Sequence, residues 1–364
     1  MNIKEIIHII ESFAPLAFQE SYDNSGLQFG NPEAEVKKVL ITLDITEAVV
    51  DEAIQLDCQL IIAHHPLIFK PIKKLTGANY VERTFLKAIQ NNIALYAAHT
   101  NLDNATGGVN FKFAEKIGLK NVQILQPTSG NLRKLTVFVP KEHVDKLAKA
   151  LGDAGAGQIG NYKDCSFRTE GIGAFTPTET ANPFIGSSNQ PEEVAEFRLE
   201  VIFPKHLENK VLNAMFLAHP YEEVAYFLSD LANENQEVGA GAIGELETEM
   251  TSEEFLIHLK DKMQLSVIRF TSFEQKIKKV AVCGGVGSFL LKKAIASKAD
   301  AFVTADFKYH EFFDAEGRIM IADIGHFESE YSTKELFFEI LTKKIPNIAI
   351  LFSTVNTNPV KYYY

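Results

Sequence analysis

The chain has 364 residues, 46% hydrophobic and 23% charged, which is ordinary globular composition and enough length for two or three domains with their own cores. A formal net charge of -11 disfavours long-range attraction to nucleic acid or an anionic lipid surface. No apolar run approaches the roughly 20 residues that cross a bilayer. Cys58, Cys165 and Cys283 are far apart, odd in number and without a CxxC pair, so neither a disulfide framework nor a thiolate zinc site is expected, and a reducing cytoplasm fits best.

In chain order, MNIKEIIHIIESFAP carries Ile3, Ile6, Ile7, Ile10 and Phe13 at helical spacing, with charges between them, and predicts an amphipathic helix in place of a signal segment. An internal repeat follows: KKVLITLDITEAVVDEAIQLDCQLIIAHHPLIF from Lys37 matches, without a gap, KKVAVCGGVGSFLLKKAIASKADAFVTADFKYH from Lys278. Each copy reads as strand, turn, amphipathic helix and second apolar strand, and both turn polar at one point, His64-His65 in the first and Ala305-Asp306 in the second. A third apolar strand then ends in a histidine with an acid four residues on, His99 with Asp103 and His326 with Glu330. Strands alternating with helices predict a pseudo-repeated α/β/α core with mainly parallel sheets, whose ligands lie beyond the carboxyl ends of the strands.

Between the copies the texture changes. KLTVFVP (134–140), DCSFRTEGIGAF (164–175) and EFRLEVIFP (196–204) read as strands, with helices at 141–155 and 205–220, a polar loop at 176–191 and a last strand in YEEVAYFLSDL. The order β-α-β-β-α-β is that of an inserted α+β ferredoxin-like domain. The expected division is 1–126 and 246–364 as two halves of one discontinuous metal-binding domain, with 127–245 as the insert.

Adjacent residues of a regular strand point to opposite faces, so His64 and His65 cannot share one compact site while the strand continues. Either the chain turns at Pro66, or each imidazole serves a different ion of a metal pair, whose members lie roughly 3.5–4 Å apart. His64, His65, Asp103, His326 and Glu330 fall at one predicted sheet edge and make a set of three imidazoles and two carboxylates, one of which can bridge. A merely polar cluster is the competing explanation. His99 alone reads more readily as a satisfied strand-end residue than as a ligand. Imidazole and carboxylate without thiolate suit zinc, iron, manganese, cobalt or nickel and do not choose among them.

Asp306 and His310 stand four apart after a strand and are the candidate catalytic pair, passing a proton or supporting the ligands; an aspartate capping a solvated helix explains them equally well. Asp44 and Thr46 could line the same edge. In SYDNSGLQFG a turn alone explains Asp23 and Asn24, and CGGVGSF lacks the full dinucleotide-binding spacing.

Taken together, YDNSGLQFG, LDITEAVVDEAI, IIAHHPLIF, AAHTNLDNATGGVN, CGGVGS, TADFKYH and DIGHFESE resemble the successive motifs of the GTP cyclohydrolase I type 2 family, also called the Nif-three-like family. The insert, with GQIGNYKDCSF, GIGAFTPTETANPFIG and HPYEEVAY, resembles the PII/CutA-like insert of its longer bacterial members. The resemblance implies two divalent metal ions at His64, His65, Asp103, His326 and Glu330, a toroidal homohexamer, and GTP as the first small-molecule substrate to try. Two positions depart from the family pattern: Tyr22 stands where tryptophan is usual, and Ala305 where the family often has glycine. The expected function is metal-dependent hydrolysis by activated water; a regulatory or metal-handling scaffold with a small-molecule-sensing insert is the alternative, and neither a membrane nor nucleic acid is an expected partner.

Overall fold

The computed structural model describes residues 1–345 and 347–363, and the predicted amphipathic helix opens it as Ile3–Phe13. Asn2 and Glu5 close a capping box at its start, and Ile3, Ile6, Ile7 and Ile10 are buried along one stripe. The strands follow as β1 (Gly26–Phe29), β2 (Lys38–Thr42), β3 (Leu60–Ala63), β4 (Ala94–Ala97), β5 (Lys120–Ser129), β6 (Leu132–Pro140), β7 (Phe167–Phe175), β8 (Glu192–Pro204), β9 (Tyr226–Leu231), β10 (Glu234–Met250), β11 (Arg269–Phe270), β12 (Ile277–Val286), β13 (Ala301–Ala305), β14 (Met320–Asp323) and β15 (Ala349–Phe352). This is a mixed α/β fold with three sheets, and the chain divides into two compact units, Met1–Gln126 with Val238–Tyr364, and Pro127–Glu237.

The first unit carries the repeat as two sheets, ordered β1-β4-β3-β2-β15 and β11-β14-β13-β12-β10-β5. In each, the three strands of a repeat copy are parallel, and a short antiparallel strand lies outside the third, β1 on β4 and β11 on β14. Helices Glu47–Gln55 and Leu291–Ala296 make the equivalent crossovers. The second sheet is mixed in direction and not mainly parallel as expected, because β10 and β11 pair antiparallel with β12 and β14; the near-continuous apolar runs belong to the parallel strands, which are covered on both faces. Val39, Ile41, Leu60 and Ile62 enter one core while Leu40, Ile61, Ala63 and Leu95 enter another. The second sheet divides in the same way, with Val280, Val282, Ala301 and Val303 opposed to Ala281, Cys283 and Phe302. With no room for polar side chains inside either sheet, polar residues collect where the strands stop.

The second unit has the element order strand, helix, strand, strand, helix, strand, with helices Val144–Asp153 and Glu208–Ala218. Its four strands form a fully antiparallel sheet ordered β7-β8-β6-β9. Leu135, Val137, Val139, Leu199 and Val201 point from one face of it into the helix-covered core. No helix among the described residues is long and apolar enough to cross a membrane.

Candidate metal centre

The strand that raises the question of two adjacent histidines ends at Ala63, one residue before them. The backbone N–H groups of His64 and His65 both donate to the Leu43 carbonyl, at 3.2 and 3.0 Å, so the chain bends here and the strict alternation of faces is lost. The two rings lie 4.9 Å apart and inclined at 47°. His99 follows β4 and leads into the short helix Thr100–Asp103, and His326 opens the short helix His326–Glu330 after β14. In the second of these helices the four-residue spacing brings His326 and Glu330 to one face.

Glu330 is the centre of the arrangement. Its Oε1 is 3.7 Å from His64 Nε2, while its Oε2 is 2.9 Å from His65 Nε2 and 3.2 Å from His326 Nε2. Asp103 Oδ1 lies 3.6 Å from His64 Nε2, and the Nε2 atoms of His65 and His326 are 3.3 Å apart. All five residues predicted as ligands therefore converge. His64, His65 and His99 form one cluster with metal-ligand spacing, and His65, His326 and Glu330 form another, so two sites compatible with divalent ions are present. The fit can be tested on the polar atoms themselves: His64 Nε2 and Asp103 Oδ1 are buried, 3.6 Å apart, and have no hydrogen-bond partner. Two unpartnered polar atoms within one small space are costly unless a cation satisfies them.

Each imidazole is held from behind through Nδ1. His64 Nδ1 is 2.9 Å from the Ala98 carbonyl, His65 Nδ1 2.7 Å from Asp44 Oδ1, His99 Nδ1 2.8 Å from Asp23 Oδ1, and His326 Nδ1 2.6 Å from Asp306 Oδ2. All four partners are acceptors, so Nδ1 donates and Nε2 faces inward, where it can bind a cation once deprotonated, the arrangement that metal-bound histidines use. Asp23 is fully buried and also accepts from the Thr100 N–H at 3.0 Å, which makes it a support of His99 and corrects the explanation of this residue by turn formation alone. Asp306 adopts a left-handed backbone (φ +58°), a conformation that aspartate tolerates better than most residues. His310 lies apart from this network, on the turn Tyr309–Ala315, with its ring stacked on Phe313 at 29°. Tyr22 packs 6.4 Å from Phe69, whose ring meets His99 at 6.0 Å, so an aromatic is retained at the departure from the family pattern.

His99 joins the cluster although a strand-end histidine has a simpler explanation; its one sequence signal is the spacing to Asp103 that mirrors His326 and Glu330. The glycines of CGGVGSF serve this site too. A Cβ on Gly285, which is held at φ +62°, would collide with Glu330 Oε1 and come within 3.2 Å of His326, so the backbone here approaches a side chain of the cluster. Beside His65 and His326 opens a cleft of about 570 Å³, lined among others by Arg269, Asp306, Phe327 and Tyr362.

The comparison with known proteins agrees with this geometry. The model of the family described as Duf34/NIF3 (NGG1p interacting factor 3) matches residues 1–359. The chain belongs to the Duf34/NIF3 family. A relative from Bacillus subtilis (strain 168), named GTP cyclohydrolase 1 type 2 homolog, is 42% identical over 100% of this chain and 99% of its own. The crystal structure of a Bacillus cereus protein related to NIF3 superposes with a TM-score of 0.87 at 42% identity, covering 100% of this chain and 99% of the other. That of a Staphylococcus aureus protein gives 0.80 at 32% identity, with the same coverage. Full-length similarity of this kind covers both halves of the repeat and the segment between them.

Electrostatics add a pH dependence. Burial works against charge on His65 and His326, but the carboxylates around them outweigh it, chiefly Glu330 with Asp44 or Asp306, raising the imidazoles to about 10 and about 9. Burial and the neighbouring Glu330 push the Asp103 carboxyl up. Burial opposes ionisation of Glu330 too, yet the facing imidazoles hold it well below the usual carboxylate range. A histidine whose pKa is higher in the folded state stabilises the fold fully below its unfolded value of roughly 6.5 and loses that contribution as pH rises through the folded value. The metal-free protein should therefore lose melting temperature between pH 6.5 and 9.5, and added divalent metal should restore more of it at the upper end, because the ligands bind only when deprotonated. Calorimetry on chelator-treated and reloaded protein reads both, and a metal-free melting temperature that stays flat across this range would contradict the assignment. Gly285→Ala must displace Glu330 and is expected to weaken divalent-metal affinity about tenfold with the fold retained; an unchanged affinity would mean that the close approach has no bearing on the cluster.

Proposed function

We propose that the protein is a dinuclear metal-dependent hydrolase, with His64, His65, Asp103, His326 and Glu330 as ligands and His99 facing the same space. The observation that carries this reading is the set of inward Nε2 atoms, each ring held through Nδ1, with the buried Glu330 reaching His64, His65 and His326. A pair of divalent ions would supply Lewis acidity toward the bond attacked and would acidify water. The chain's own residues do the rest. Asp44, Asp23 and Asp306 fix the tautomer and direction of His65, His99 and His326. Asp306, on the wall of the cleft and half-exposed in its side chain, is also the carboxylate positioned to exchange a proton there. Arg269, on the same wall, is ion-paired with Asp323 and donates to the Phe307 carbonyl at 3.1 Å, so its guanidinium is held in place beside the cleft.

GTP is the first substrate to test, because the Bacillus subtilis relative is named GTP cyclohydrolase 1 type 2 homolog; the reaction to look for is hydrolytic opening of the purine imidazole ring with release of formate. Metal content and formate release from GTP, measured on wild type, His65→Ala and Glu330→Ala, decide the matter. About two ions per chain in the wild type, lost in both variants together with formate release, are expected. Activity that survives complete metal loss would refute the mechanism, and ions without formate release would refute GTP as substrate.

The insert is proposed to be a ferredoxin-like module of the PII/CutA type, a reading supported by its element order and by the sheet order β7-β8-β6-β9. The assembly is proposed to be a toroidal homohexamer, on the strength of the family resemblance. Light scattering should then give about six times the 40.6 kDa of one chain, and a monomer mass would overturn it.

A further inference from the structure

A cavity of about 890 Å³ lies wholly within the unit Pro127–Glu237. Its origin is legible in strand β7. In EGIGAF, Gly171, Gly173 and Phe175 alternate onto one face, so that face is bare for two successive positions. A Cβ on Gly171 would meet nothing within 4 Å, and one on Gly173 would collide with the Glu196 carboxylate. On the neighbouring strands Glu196 lies opposite Gly171, and Arg198 opposite both Thr169 and Phe138, so these side chains share the face turned away from the apolar core. The segment 176–185 and residues 221–225 supply the remaining walls.

The lining has a definite chemical character. Glu196 is 9% exposed, and its Oε1 accepts from the Tyr221 hydroxyl at 2.9 Å. The Tyr221 ring lies 6.0 Å from that of Phe175 and 6.3 Å from that of Phe184, so three aromatic rings gather beside one carboxylate. Glu222 and Glu223 add negative charge, and the lining cation Arg198 is already engaged, donating to Glu200 at 2.6 Å. An anion would meet net repulsion here. A cation would meet both a counter-charge and the negative faces of aromatic rings, the combination by which proteins bind substituted ammonium groups. Pro183 and Ile185 extend the wall with apolar surface, and a cavity of this volume takes a ligand with a body as well as a head.

We propose that this cavity is a binding site for an organic cation, its ammonium head held by Phe175, Phe184, Tyr221 and Glu196 and its apolar body lying along Pro183 and Ile185. The site is separate from the histidine cluster and requires no metal.

Calorimetric titration of the full chain with choline and hexyltrimethylammonium tests it, with 3,3-dimethylbutan-1-ol as the neutral isostere of choline and hexanoate as the anion. The cations are expected to bind, the longer one more tightly, with the neutral isostere about tenfold weaker or worse and hexanoate silent. Glu196→Gln should weaken both cations about tenfold and leave the alcohol unchanged. Phe175→Leu keeps an apolar side chain but removes a ring face, and is expected to weaken the cations selectively, which keeps the proposal testable if Glu196→Gln does not fold. Equal binding of alcohol and choline, a preference for hexanoate, or equal losses for charged and neutral probes in Phe175→Leu would overturn it. So would the absence of any binding together with variants that alter only the molar mass, since the cavity would then be a contact between copies of the chain.

Discussion

Four histidines can aim lone pairs into one small space only if something else holds the proton of each ring, and here an oxygen does so at every Nδ1. Three of those oxygens belong to aspartates, Asp23, Asp44 and Asp306, and the fourth to the carbonyl of Ala98. Without those partners an imidazole rotates or changes tautomer, and the Nε2 atoms no longer converge. The same constraint explains the dense local acidity, because ligands, supporting carboxylates and the buried Glu330 must all be present before a cation arrives. The protein therefore keeps a region that is electrostatically unfinished without a cation, as the unpartnered His64 Nε2 and Asp103 Oδ1 indicate.

The second cluster draws on both sides of the interruption in the outer unit. His65 comes from the first half of the chain, and His326 and Glu330 from the second, yet Nε2 of His65 is 2.9 Å from Glu330. Neither half can assemble the second cluster alone, so the repeat is functional only as a pair. The copies are equivalent in strand order but have diverged at their polar ends: where the first presents His64 and His65, the second presents Ala305 and Asp306. One copy supplies two imidazoles, and the other an aspartate that holds an imidazole. The repeat has kept its fold while dividing the chemistry between its copies.

The inserted unit follows a different physical rule. Its sheet is antiparallel with helices on one face only, which leaves the other face available for a cavity. The glycines of β7 keep that face bare, and the carboxylate and aromatic side chains around it give it a charge preference. Composition alone reports this segment as merely polar and loop-rich.

Properties encoded within a few residues of one another can be read from the chain directly. The 3.6-residue stripe of Ile3, Ile6, Ile7 and Ile10, the apolar runs of the parallel strands, the matching copies from Lys37 and Lys278, and the four-residue spacing of His326 and Glu330 are all local patterns with local physical causes. Because both copies turn polar where their strands end, the convergence of His64, His65, Asp103, His326 and Glu330 at one sheet edge was legible as well. Only the tertiary structure decided the partners. Asp23 reaches His99 across 76 positions and Asp306 reaches His326 across 20, while His310, four residues from Asp306, stacks on Phe313 instead. Gly285 is constrained by a carboxylate 45 residues away in the chain. Such pairings depend on strand register and on where each turn releases the backbone, and no periodicity in the chain encodes those distances.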